Sequence, residues 1–136
     1  MERAAAFAAE YGIAKAYGSY EELAADPEVE AVYIATPNNL HFENTMLCLK
    51  AGKHVLCEKP LALNEAQASK MFEAAEQNGV WLMEAYAYLH SPLIDAVKHE
   101  LDTGVIGEIR YLESAFIGGL PKAGDYRWRR ASGGGA

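Results

Sequence analysis

No apolar stretch approaches the roughly 18 residues a helix needs to cross a bilayer, which excludes a helical membrane span. The first residues, Met1, Glu2 and Arg3 followed by alanines, have neither the apolar core nor the cleavage site of a signal peptide, so cytoplasmic residence is expected. Basic charge is scarce: 12 Lys and Arg face 19 Asp and Glu, for a net charge of -7. With no basic excess to displace counterions from phosphates, neither nucleic acid nor a membrane surface is expected as a partner. Arg127, Arg129 and Arg130 form the one dense basic cluster. Cysteine is nearly missing as well. Cys48 and Cys57 fit neither a CxxC redox pair nor zinc-ligand spacing, so free buried thiols in a reducing compartment, and no metal site, are expected. Finally, no G-x-G-x-x-G follows a strand pattern anywhere.

What is there is an ordinary globular composition, 51% hydrophobic and 23% charged over 136 residues. Helical and extended patterns alternate, the mark of an α/β protein built on a mostly parallel, doubly wound sheet. Residues 31–35 (AVYIA), 54–57 (HVLC) and 80–85 (VWLMEA) are short, nearly continuous apolar runs, as expected of strands covered by helices on both faces. A weaker fourth strand is expected at 14–17. Between them, Ser19 with Glu22 has capping-box spacing, Asn64 with Gln67 is a close variant, and Ser91 before Pro92 fits an N-cap and first helical position. Gly52, Gly79 and Gly104 stand where helices should end. Ala68, Met71, Phe72 and Ala75 make one helical stripe, and Leu93, Val97 and Leu101 another; both are expected to lie against the sheet. Past Gly107 a long strand is expected at 109–117 (IRYLESAFI), then a loop with Gly, Pro and Arg and a terminal glycine run. The expected division is residues 1–104 as one domain and 105–136 as the start of a second, α+β open-sheet domain.

Three clusters follow strands, and in open α/β sheets ligands bind beyond the carboxyl ends of strands. Residues 35–41 (ATPNNLH) run into a helix expected to start near His41, whose free N–H groups and dipole suit phosphates. The same residues also read as a plain turn with capping side chains. Glu58 and Lys59, in 57–60 (CEKP), suit a proton donor or a substrate-orienting pair, or a solvated ion pair. Tyr86, Tyr88 and His90, in 84–92 (EAYAYLHSP), suit either a ligand or packing against the second domain. His54 and His99 read as structural.

Taken together, 32–41 (VYIATPNNLH), 51–60 (AGKHVLCEKP), 83–86 (MEAY) and 104–110 (GVIGEIR) resemble, in order, the signature blocks of the Gfo/Idh/MocA oxidoreductases. The resemblance covers essentially the whole chain and is most specific at 52–60. It implies a partial Rossmann-type domain followed by the start of an open-sheet domain. It also implies hydride transfer between NAD or NADP and a hydroxyl or carbonyl of a sugar, polyol or cyclic diol. Thr36, Pro37, Asn38 and His41 would line the cofactor, with Glu58 and Lys59 near the nicotinamide ribose. Lys59 would be the catalytic lysine, and Trp128 and Arg129 would reach back to the cofactor. A small sugar-like substrate and a homo-oligomer formed through the later sheet are implied as partners. The 83–86 block is most similar to the branch with dihydrodiol dehydrogenases and glucose-fructose oxidoreductase.

Departures from the pattern carry expectations of their own. The family's first strand and glycine-rich loop, with the residue choosing NAD or NADP, have no counterpart here, and the later Asp and His or Tyr would follow residue 136. The chain is therefore expected to be a fragment with negligible turnover alone. Leu89 stands where many relatives carry Arg. A non-catalytic, ligand-sensing relative is the alternative, and an intact Lys59 speaks against it.

Overall fold

The computed structural model describes residues 2–119 and 122–133; Pro121 of the expected loop and Gly134 and Gly135 of the glycine run lie outside them. Three strands, β1 (Ala31–Ile34), β2 (His54–Glu58) and β3 (Leu82–Ala85), form a parallel sheet in the order β1-β2-β3. Ile34 lies opposite Cys57, and Cys57 opposite Glu84, so the three carboxyl ends leave the sheet side by side. Parallel neighbours need long crossovers, and helices α3 (His41–Lys50) and α4 (Glu65–Gln77) supply them.

Local chemistry sets the helix ends. Helix α2 (Tyr20–Ala25) starts where the Ser19 hydroxyl accepts from the Glu22 N–H at 3.1 Å, and Glu22 accepts in return from the Gly18 N–H. In α4 the Asn64 side chain accepts from the Gln67 N–H at 3.0 Å, and Gln67 from the Leu63 N–H. Both are the expected boxes, with the return bond one residue earlier than in the standard form. Gly52 and Gly79 end α3 and α4 at φ 74° and 65°, a left-handed conformation that side chains resist.

The core lies on one sheet face. Ile34, Val55 and Cys57 pack there against Cys48 and Leu49 of α3 and Met71, Ala74 and Ala75 of α4. Leu49, Met71 and Cys57 are wholly buried, and burial of a side chain the size of Leu or Met contributes about 1.5–3 kcal/mol. Because strand side chains alternate, Tyr33, Leu56 and Met83 fall in register on the opposite face, 57%, 39% and 40% exposed. The expected helical cover thus exists on only one face among the described residues.

Three other expectations are corrected. Residues 14–17 form no strand; an extended segment becomes one only by pairing, and here Lys15 and Tyr17 instead bond the buried Asp26 carboxylate. Those contacts, Lys15 first, then the Glu28 N–H and Tyr17, hold the Asp26 carboxyl at about 2. Residues 109–117 likewise form no strand, and Phe116 and Ile117 are almost fully exposed. Helix α5 (Pro92–Asp102) forms and ends before Gly104, yet its stripe is not buried: Leu93 is 70% and Val97 47% exposed. Ser91 stands at the N-cap with Pro92 following, but makes no side-chain capping bond. Helix α1 (Glu2–Tyr11) buries only Ala8. No helix among the described residues is long and apolar enough to cross a membrane.

Candidate functional site

The exits of β1 and β2 are neighbours by register, and the turns that follow them are tied together. After β1 the chain passes through Thr36 and Pro37 into a 3-10 turn, Asn38–Leu40, and α3 begins at His41. The Thr36 hydroxyl accepts from the Asn44 amide at 3.2 Å, and its carbonyl lies 2.8 Å from His41 Nε2. His41 Nδ1 lies 2.7 Å from the carbonyl of Pro60, which follows the cis peptide after Lys59. One buried imidazole therefore touches both turns. Asn38 and Lys59 stand on the same edge of the sheet.

The Glu58 carboxylate is tied to its neighbours. Glu58 accepts from the Tyr33 hydroxyl at 2.5 Å and from the Lys59 N–H at 3.1 Å, and these donors hold its carboxyl below the usual range, Tyr33 contributing most. The same bond raises the Tyr33 hydroxyl. Lys59 itself is exposed. Glu84, on β3, accepts from the Leu61 N–H at 2.8 Å and so anchors the turn after Lys59 from the third strand. Cys57, buried beneath, has its thiol pushed up by burial. It is structural.

The third cluster sits at the same edge but is open. Tyr86 and Tyr88 are half-exposed, their rings 5.5 Å apart, and His90 is exposed beside them in the turn Ala87–His90. His54 accepts from the Trp81 N–H at 2.9 Å, a strand-start contact.

The arginine-rich segment folds back to this edge. In the turn Tyr126–Trp128, Arg127 pairs with Asp125, Trp128 Nε1 donates to the Lys122 carbonyl, and Arg129 donates to that of Gly124. Trp128 and Arg129 thus bond within their own segment. The turn Arg130–Ser132 lies against Asn38–Leu40, and the Asn38 amide reaches the Gly133 carbonyl at 3.5 Å. A Cβ on Gly133 would stand 2.3 Å from Leu63 Cδ2, at a φ of 75°. That close approach was missing from the sequence reading, where Gly133 counted only as part of a run. Tyr33 and Asn44 were missed too; the alternation of β1 puts Tyr33 on one face, but only register places that face beside Glu58.

The residues present fit the sugar and nicotinamide end of a dinucleotide. Glu58, held ionised, can accept from ribose hydroxyls, Lys59 follows it as an exposed side chain, and Thr36 and Asn38 are half-exposed at a helix start. A broad hollow between α1 and α2, lined by Phe7, Ile13, Tyr17 and Tyr20, includes no residue of this edge.

The Gfo/Idh/MocA family model, described as an oxidoreductase family with an NAD-binding Rossmann fold, matches residues 1–86. The trans-1,2-dihydrobenzene-1,2-diol dehydrogenase of Mus musculus is 44% identical over 98% of this chain and 40% of its own length. A 3-ketoreductase from Actinomadura kijaniata, solved with NADP and TDP-benzene, superposes with a TM-score of 0.88 at 40% identity, over 98% of this chain and 41% of that one. A levoglucosan dehydrogenase solved with NADH and levoglucosan gives 0.72 at 34% identity, over 78% and 29%. The chain spans about 40% of the length of the curated relatives it matches.

Proposed function

This chain belongs to the Gfo/Idh/MocA family of NAD-binding, Rossmann-fold oxidoreductases, and from that premise we propose that the complete protein is an NAD(P)-dependent dehydrogenase or reductase. Its substrate is a small sugar, polyol or cyclic diol. The observation that carries the reading is the convergence of the Asn38 turn and the Lys59 turn on one sheet edge, joined through His41.

In this reading Thr36, Pro37 and Asn38 line the cofactor, and Glu58 accepts from the hydroxyls of the nicotinamide ribose. The bound cofactor supplies or accepts the hydride. Lys59 does the proton work: in reduction its ammonium donates to the substrate carbonyl oxygen as the carbon gains hydride, and in oxidation its amine takes the hydroxyl proton. Trp128 and Arg129 reach back to the cofactor from the returning segment, a reading supported by the contact of Arg130–Ser132 with the Asn38 turn. Cyclic diols are favoured by the 44% identity to dihydrodiol dehydrogenase, and sugars by the likeness to levoglucosan dehydrogenase. Residues 1–104 serve as the dinucleotide domain and 105–136 open the next, through which copies pair; the end of α5 just before Gly104 supports that boundary. The protein works in the cytoplasm, and the acidic charge accords with a lack of nucleic-acid or anionic-membrane partners.

Lys59→Ala in the complete protein tests this. Turnover of diol or sugar should fall by at least the hundredfold scale of lost general acid catalysis, while NAD(P)H binding persists. Cofactor binding with no turnover in the unsubstituted protein would point instead to ligand sensing.

A further inference from the structure

His41 is 1% exposed, and its nitrogens face only backbone carbonyls, those of Thr36 and Pro60. A carbonyl oxygen can accept but never donate. Both contacts therefore become hydrogen bonds only if each ring nitrogen carries a proton; a neutral ring would aim a lone pair at one carbonyl from 2.7 or 2.8 Å. The two carbonyls belong to different turns, and the other bonds of each turn stay local or run elsewhere. Thr36 is held from α3 by Asn44, the Lys59 N–H by Glu58, and the Leu61 N–H by Glu84. Among the described residues, His41 is the hydrogen-bonded link between the Asn38 turn and the Lys59 turn.

We infer that His41 is a positioning residue: as an imidazolium donating from both ring nitrogens, it sets the spacing between the turn that lines the cofactor and the turn that carries the catalytic lysine. It touches neither cofactor nor substrate, because no ring nitrogen is left over. This replaces the expectation that His41 lines the cofactor, and it rests on the dehydrogenase reading above. Spacing matters here because hydride transfer requires cofactor and reacting carbon in near-attack geometry while the lysine meets the oxygen, and a displacement of about 1 Å can cost on the order of a hundredfold in rate.

Two measurements on the complete protein test the inference. Nitrogen-15 NMR of the histidine rings, with His41 assigned by its disappearance in His41→Gln, should show N–H at both positions; a single N–H overturns the inference whatever the kinetics. His41→Phe keeps the ring and removes both donors, so kcat should fall on the order of a hundredfold while NAD(P)H affinity changes much less. His41→Gln, with one amide donor group, should recover part of the loss. Unchanged kcat in His41→Phe overturns the positioning role, as does loss of cofactor binding with kcat at saturation intact. If His41→Phe does not fold, the ring spectrum of the unsubstituted protein decides. If the unsubstituted protein binds NAD(P)H but turns over no diol or sugar, the dehydrogenase reading fails, and the ring spectrum still judges the two-donor link of His41 separately.

Discussion

At the scale of single residues, Glu58 shows how much a neighbour changes. In the sequence it is an acid beside a lysine; in the structure its partner is Tyr33, one strand away, with the Lys59 N–H second. A carboxyl held below its ordinary value contributes stability that is present above that ordinary value and lost as pH falls through the lowered one. Removing the hydroxyl should therefore let Glu58 take up its proton at higher pH. Tyr33→Phe tests this by carboxyl carbon-13 titration, and an unmoved titration would deny Tyr33 the part. Glu58 and Lys59 were legible as candidates because charged residues directly after an apolar strand are conspicuous. Tyr33 was not, since a tyrosine within an apolar run reads as core.

At the scale of elements, start and stop signals were the most legible features. Ser19 and Asn64 cap as their spacing predicts, and Asn64→Ala should cost about 1 kcal/mol in chemical unfolding. Met71, central to the α4 stripe and wholly buried, should cost about 2–5 kcal/mol when replaced by Ala, read from the shift of the same transition. Phe72 belongs to that stripe by periodicity yet is 53% exposed, because Ala74 rather than Phe72 completes the buried face. The stripe of α5 was as legible as that of α4 and proved bare. Amphipathic spacing says that a face suits burial and leaves open what covers it. Residues 109–117 make the same point for strands: alternation suits a ladder, and no second rail stands beside them among the described residues.

At the scale of the whole molecule, one sheet face is packed and the other is open among the described residues, so stability is unevenly distributed. Val97→Ser on α5 should change the unfolding free energy of this chain by less than about 0.5 kcal/mol, against the several expected for Met71→Ala. A large loss would show that α5 is covered. By itself the sequence determined the three core strands and the helices between them, the cap positions, the crossovers, and the residues placed after each of those strands. These are local properties, set by periodicity and by side chains bonding the nearest backbone. Tertiary structure alone decided that Tyr33 meets Glu58, that His41 joins Thr36 to Pro60, that Gly133 returns to Asn38, and that one face stays bare. Each depends on register between segments far apart in the chain, a pairing that neither segment specifies alone.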